Sequence, residues 1–151
     1  MRFHIKTILV IFISVFMLTA FTNTDSTYNF EVKKGIDFYN GDYQEALENA
    51  KAEKKLVFVY LYANWCGVCK SLKKNTFRDA SVGEFYNKEF INLSLNAEKG
   101  EGAEIARSIG LRSYPTLLYV DANNGRILNR VSGYKTPIQF INLGKIFTQK
   151  Q

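Results

Sequence analysis

The chain has 151 residues, 46% of them hydrophobic, and a formal net charge of +6, which fits one globular domain and excludes a disordered chain. Its lysines and arginines are scattered rather than grouped in one run, so we expect no nucleic-acid partner. It has two cysteines and one histidine, His4, so the body of the chain lacks the residues for a Cys–His or Ser–His nucleophile and for a four-ligand zinc site. We therefore expect neither a metal nor a cofactor.

The N-terminus has the pattern of an export signal. Arg2 and Lys6 precede an apolar run of 14 residues, ILVIFISVFMLTAF. A membrane span needs about 20 residues, so this run better suits a signal peptide. We predict a signal over residues 1–21, either cleaved near its end or kept as a membrane anchor, and a loose segment over residues 22–36. The protein is then expected in the periplasm or another compartment outside the cytoplasm.

Residues 37–150 are predicted to form one domain in which helices and strands alternate. The predicted elements are helix 42–54, strand 56–63, helix 66–76, helix 81–88, strand 90–96, helix 101–108, strand 115–121, strand 126–132 and a last helix from residue 136. This order favours a mixed sheet with helices on both faces. Ser81 is the expected N-cap of the third helix. Gly100 and Gly102 are assigned to a turn.

Helical spacing predicts which side chains of two helices face the sheet. They are Val68, Leu72 and Phe77 at the second helix, and Ile138, Ile141 and Phe147 on the last one.

The Cys66-Gly67-Val68-Cys69 segment follows the apolar strand directly and opens a helix. Unpaired N–H groups and the helix dipole at that end favour a thiolate, which is the nucleophile in disulfide exchange. Cys69 lies one turn further along on the same face. This arrangement predicts that Cys66 attacks a partner and that Cys69 resolves the mixed disulfide.

Three other interpretations of the two cysteines are weaker. A zinc ribbon needs a second pair, and haem attachment needs a histidine where Lys70 stands. A purely structural disulfide over so short a loop constrains the unfolded chain little.

Tyr114-Pro115-Thr116 forms a second marker just before a strand. A proline there cannot donate to a β-ladder, so it must lie at a strand start or edge. With a cis peptide bond, the preceding backbone is free to pair with a substrate strand. An ordinary trans turn is the alternative from the residues alone.

These segments, LVFVYLYANWCGVCK (residues 56–70) and SYPTLLYV (residues 113–120), together with Gly133, resemble the thioredoxin superfamily. Within it, the chain is most similar to exported domains such as the C-terminal domain of transmembrane thiol:disulfide interchange reductases. The resemblance implies an α/β thioredoxin fold with a central mixed β-sheet and helices on both faces.

The same resemblance implies roles for individual residues. Cys66 is the nucleophile, Cys69 the resolving thiol and Pro115 the cis-proline. Trp65 shields the disulfide, and Gly133 keeps the substrate groove open. The residues expected to support this site are Gly67, Val68, Lys70, Tyr114 and Thr116.

Two positions depart from the family pattern. Thioredoxins usually bury an aspartate where this chain has Tyr60, and the interchange-reductase branch has an acid where it has Lys73. A tyrosine, with a reference pKa of about 10, is a poor base at neutral pH. We therefore expect Cys69 to lose its proton less readily than in a thioredoxin, or to pass it to water or to the substrate.

Basic residues follow the active-site cysteines at helical spacing: Lys70, Lys73, Lys74 and Arg78. They form either a solvated face or, in a sharper hypothesis, a charge through which Lys70 or Lys73 lowers the pKa of Cys66.

The function that fits best is an exported thiol–disulfide oxidoreductase that reduces disulfides of client proteins. Gly67 and Val68 between the cysteines favour the reducing members of the family. The resemblance also implies a membrane electron donor as a partner. A disulfide oxidase or isomerase would use the same residues with a different redox poise. A redox-inert module that binds client peptides near Pro115 is the alternative from another class.

Overall fold

The computed structural model describes residues 35–149. Its elements in chain order are α1 (Tyr43–Ala52), β1 (Leu56–Tyr62), α2 (Gly67–Asn75), α3 (Ala80–Glu89), β2 (Phe90–Asn96), α4 (Gly100–Ser108), β3 (Thr116–Val120), β4 (Ile127–Ser132) and α5 (Pro137–Thr148). The four strands form one sheet in the order β2-β1-β3-β4. β1 pairs parallel with β2 and antiparallel with β3, and β3 pairs antiparallel with β4. The predicted mixed sheet is confirmed.

The core lies on both faces of β1 because every residue of this strand up to Leu61 is buried. Phe58 and Tyr60 pack into one cluster, which also contains buried residues of α2, α3 and α5. Val57 and Val59 pack into the other, with buried alanines of α1 and α4. Because side chains alternate along a strand, a continuous apolar run supplies both clusters. The predicted helices on both faces are therefore confirmed.

The strand order places the candidate site at the end of the sheet where β1 finishes and β3 begins. Leu61, near the end of β1, pairs with Thr116 at the start of the antiparallel strand β3. The turn that leads from β1 into α2 therefore lies next to the segment that precedes β3. The register therefore brings Cys66 and Pro115 to the same end of the two strands.

Four side chains predicted to face the core do so. Leu72 and Phe77 are buried. Phe147 stacks on the buried ring of Tyr119, with the ring centroids 4.6 Å apart. Ile141 is partly buried against the same cluster.

Two side chains predicted to face the core are exposed, so those predictions are wrong. Val68 is 45% exposed and Ile138 is 73% exposed. Ile138 lies two residues before the buried Phe140, about 200° around the helix, and therefore on its opposite face. On α2 the buried positions are Cys69 and Leu72, so Cys69 takes the inward place assigned to Val68.

Two boundaries also differ from the sequence prediction. α3 is capped by Asp79, not Ser81, because the Asp79 carboxylate accepts the N–H groups of Ser81 (2.9 Å) and Val82 (3.1 Å). Gly100 and Gly102 lie in the first turn of α4 rather than in a turn before it. A Cβ on Gly102 would meet the main-chain oxygen of Asn96, so the glycine allows α4 to approach the end of β2 closely.

A buried hydroxyl pair links α3, β3 and α5. Tyr86 Oη donates to the main-chain oxygen of Phe140 (2.8 Å), and the hydroxyl of Tyr119 lies 2.6 Å from that of Tyr86. Because Tyr86 has already used its proton, Tyr119 is the donor of the second bond. All three residues are fully buried.

Replacing Tyr86 with Phe is expected to lower the free energy of unfolding by about 1–3 kcal/mol, because a buried carbonyl and a buried hydroxyl both lose their partner. Tyr119→Phe, the matched control, removes one hydroxyl and leaves the bond to Phe140 intact. Its cost is therefore expected to be smaller. Urea denaturation of both variants measures the difference, and an equal loss in the two would contradict this assignment of donors.

The predicted signal over residues 1–21 lies outside the described residues, as does nearly all of the segment 22–36. Across residues 35–149, every helix is too short or too polar to cross a bilayer.

Candidate active site

Cys66 and Cys69 form a disulfide at the start of α2, with their Cα atoms 5.3 Å apart. Cys66 is the N-cap residue, and its Sγ accepts the main-chain N–H of Cys69 at 3.0 Å. After reduction, this N–H and the dipole of α2 favour a thiolate at Cys66. Both cysteines are buried, with relative exposures of 4% and 2%.

Trp65, the residue before Cys66, is 66% exposed. Its Nε1 donates to a carboxylate oxygen of Glu98 at 2.8 Å. Its ring meets that of Tyr114 edge to face, with centroids 5.5 Å apart. The loops that follow β1 and β2 and the loop that precedes β3 therefore each supply one residue to this contact at the indole.

Glu98 is not among the residues that the sequence predicts for this site. β1 and β2 are parallel and end together, since Tyr62 pairs with Asn96. The residues that follow two neighbouring parallel strands emerge at the same edge of the sheet, which is the signal that could have predicted the contact between Trp65 and Glu98.

The Tyr114–Pro115 peptide bond is cis, as the resemblance implied. The Pro115 main-chain oxygen accepts the N–H of Gly133 at 3.0 Å, so these two predicted site residues are neighbours. Gly133 has a φ of +80°, and a Cβ there would meet no other atom within 4 Å. Thr116 is buried, and its hydroxyl donates to the main-chain oxygen of Ser113 at 2.9 Å.

The residues between and after the cysteines are open to solvent. Gly67, Val68 and Lys70 are exposed. Trp65 and Val68 are large apolar side chains that are exposed on either side of Cys66 in the chain.

Tyr60 is buried beneath Cys69, and its hydroxyl donates to the Cys69 main-chain oxygen at 3.0 Å. Burial raises the pKa of this hydroxyl, and the neighbouring Tyr62 raises it further. Tyr60 therefore stays protonated at neutral pH. It holds the backbone of Cys69 and does not act as a base for its thiol.

Lys73, the other position that departs from the family pattern, lines a cleft of about 200 Å³ beside Cys69, together with Tyr60 and Lys70. Within residues 35–149, no three His, Cys, Asp or Glu side chains are placed to hold a metal ion.

The sequence profile of the Thioredoxin-like domain family matches residues 43–147. The chain belongs to the thioredoxin-like family. With a Cys66–Cys69 disulfide at the head of α2, this thioredoxin-like protein is a thiol–disulfide oxidoreductase.

Individual proteins agree with the family. The thioredoxin-like chain is 34% identical over 102 residues to the thiol:disulfide interchange protein DsbD of Tatumella citrea, an alignment that covers 66% of this chain and 17% of that protein. The chain thus spans a small part of the curated relatives that it matches.

Solved structures show the same fold. A protein of Bacteroides thetaiotaomicron, provisionally named a disulphide isomerase, is 36% identical with a TM-score of 0.68, and the match covers 78% of this chain and 97% of that one. The C-terminal domain of Neisseria meningitidis DsbD in its oxidised form is 21% identical with a TM-score of 0.57, covering 68% of this chain and 89% of that one. Because the identity to the Neisseria meningitidis domain is only 21%, this match shows a shared fold and nothing more.

Proposed function

We propose that this protein reduces disulfide bonds of client proteins outside the cytoplasm. The observation that carries the proposal is the position of Cys66. Its sulfur caps α2 and accepts a main-chain N–H, and its chain neighbours Trp65 and Gly67 are exposed. The name of the DsbD relatives, thiol:disulfide interchange protein, supports the same chemistry.

The reaction begins when the Cys66 thiolate attacks one sulfur of the client disulfide. A bond forms between Cys66 and the client, the client disulfide breaks, and the departing client sulfur takes up a proton. Cys69 then loses its proton and attacks Cys66 Sγ, which releases the second client thiolate. Two electrons pass to the client, and the protein is left with the Cys66–Cys69 disulfide.

The neighbouring residues orient the client in this scheme. The backbone of Tyr114, which precedes the cis bond to Pro115, pairs with an extended client segment. The open space at Gly133 leaves room for that segment. Trp65 covers the disulfide from the other side, and Thr116 fixes the start of β3.

Each turnover leaves the pair oxidised, so a second partner must return two electrons. We assign this role to a membrane electron donor, and we place the protein in the periplasm or a comparable compartment because of the signal pattern in residues 1–21. An uncleaved signal would anchor it to the membrane. Cell fractionation and N-terminal sequencing of the mature protein test this placement.

A disulfide isomerase is the second candidate. The 36% identical Bacteroides thetaiotaomicron protein carries that provisional name. An isomerase would rearrange a scrambled disulfide protein without net gain of thiols, whereas a reductant increases the thiol count.

The direct test mixes the reduced protein with a peptide disulfide under single-turnover conditions. The chain has one tryptophan, so the fluorescence of Trp65 reports oxidation of the pair next to it. We expect two peptide thiols to appear for each Cys66–Cys69 disulfide formed. Failure of any thiol to appear would refute the proposal.

Replacing Tyr60 with Asp is expected to speed release of the client from the mixed disulfide by at least about tenfold between pH 6 and 9, because a carboxylate near Cys69 can take its proton. Two controls are matched to it. Tyr60→Phe removes only the hydroxyl that bonds the Cys69 oxygen, and Tyr60→Asn buries a polar group that is no base. Neither should speed release. An unchanged rate in the aspartate variant would show that proton loss from Cys69 is not slow.

A further inference from the structure

The cleft beside Cys69 is basic. Its volume is about 200 Å³, and it opens to solvent. The residues that line it are Tyr60, Tyr62, Ala63, Asn64, Cys69, Lys70 and Lys73. Two of these carry a positive charge and none carries a negative one.

The cleft lies where a client must come into contact with the protein. Lys70 and Lys73 follow Cys66 by four and seven residues, so the three stand in one row on α2. At 1.5 Å per residue, Lys73 is about 10 Å along the helix from Cys66. A transient redox interface covers up to about 600 Å² on each partner, a patch that can extend about 10 Å from its centre. A client bonded to Cys66 therefore lies within reach of both ammonium groups.

The charge of this cleft is not compensated by the described part of the chain. Side-chain ion pairs among residues 35–149 join Lys55 to Glu53 and Lys88 to Glu89. α2 itself contains no acidic residue. Glu98, the acidic residue bonded to Trp65, does not line the cleft.

We propose that this cleft receives an aspartate or glutamate side chain of the client, so that the protein prefers disulfides with an acidic residue close to the cysteine under attack. The proposal rests on the proposed reduction of client disulfides and names the class of client. The ammonium groups of Lys70 and Lys73 bind the carboxylate, which sets the orientation of the client at Cys66.

The test uses three disulfide peptides that differ at one position beside the cysteine, which is Glu, Gln or Lys. The rate constant for their reduction is measured for the wild-type protein, Lys73→Glu and Lys74→Glu. Lys74 is the matched control, since it lies on the same helix and is exposed but does not line the cleft. The quantity compared is the ratio of the Glu-peptide rate to the Lys-peptide rate, because any general change in Cys66 reactivity cancels in it.

The wild-type ratio is expected to be about 10 at low salt and to fall as salt screens the charges. Lys73→Glu should bring the ratio to about one, because the new carboxylate offsets the charge of Lys70, whereas Lys74→Glu should leave the ratio near the wild-type value. Equal rates for the three wild-type peptides would overturn the proposal. An equal fall of the ratio in Lys73→Glu and Lys74→Glu would also overturn it, because the effect would then come from the charge of the whole helix and not from the cleft.

Failure of the proposed function would look different, because no peptide, including the Gln peptide, would be reduced. In that case, binding of the same peptides with alkylated cysteines tests the cleft alone. Tighter binding of the Glu peptide to the wild-type protein, lost in Lys73→Gln, would support the cleft, and equal binding of all three would overturn it.

Discussion

Cys66→Ser is expected to abolish reduction of peptide disulfides, with a loss of at least about 10³-fold, because the remaining thiol, Cys69, lies inside α2 and lacks the N-cap position that favours a thiolate at Cys66. Cys69→Ser should fail differently. It keeps the nucleophile, attacks the client, and stops at a covalent complex that Cys69 would otherwise resolve. Single-turnover thiol release measures the first variant, and non-reducing electrophoresis of the protein with a peptide disulfide detects the trapped complex of the second.

The same pair of variants tests the redox-inert binding module. A module that only holds client peptides would keep its activity after Cys66→Ser, and neither variant would form a covalent complex. A complex trapped through Cys69 in Cys66→Ser, but not through Cys66 in Cys69→Ser, would reverse the assigned roles. Circular dichroism of both variants confirms that the fold survives.

Phe58→Ala is expected to lower the free energy of unfolding by about 3–5 kcal/mol, the largest stability effect that we predict. Phe58 is fully buried at the centre of the sheet. Its ring contacts four other aromatic rings at centroid distances of 5.2–6.1 Å: Phe77, Tyr86, Tyr119 and Phe140. Removing it leaves a cavity between β1, α3 and α5 that rigid rings cannot refill. Urea or thermal unfolding measures the loss.

Ile138→Ala is the control for this substitution. It also removes an apolar side chain, from a residue whose spacing suggested burial, but Ile138 is 73% exposed. Its cost should stay within about 0.5 kcal/mol, as at other surface positions. A loss at Ile138 comparable to that at Phe58 would mean that α5 packs on its other face.

Much of the fold could be predicted because its signals are local. The apolar run of β1 predicts a strand buried on both faces, which the structure confirms. The helices predicted to start at residues 42 and 136 do start there, since Asp42 and Thr136 cap them by accepting a main-chain N–H from three residues later. Such contacts lie within one turn of chain and need no tertiary information.

The incorrect predictions have a common physical origin. Asp79 and Ser81 are both good N-cap residues, and only the packing of α3 decides which one begins the helix. Val68 and Ile138 fit a helical stripe by spacing, but the buried positions are Cys69 and Leu72 on α2 and Phe140 on α5. The spacing within one helix does not by itself decide which residues pack against the sheet.

In the candidate site, too, local contacts could be predicted and contacts between distant residues could not. Cys66 and Cys69 are three residues apart, so their contact could be predicted from the sequence. The bond from Trp65 to Glu98 joins residues 33 apart and depends on the register between β1 and β2. The sequence shows that Tyr60 departs from the family pattern. Its bond to the Cys69 oxygen, however, depends on how α2 packs against β1, which the sequence does not reveal.

The reduction potential of the Cys66–Cys69 pair, measured by equilibration with glutathione, tests the proposed direction of electron flow most directly. Fluorescence of the single tryptophan, Trp65, provides the readout. A reductant is expected to have a potential near that of thioredoxin, about −270 mV. A value near about −120 mV would contradict the proposal, because the reduced form would then be the stable one and the protein would oxidise its clients.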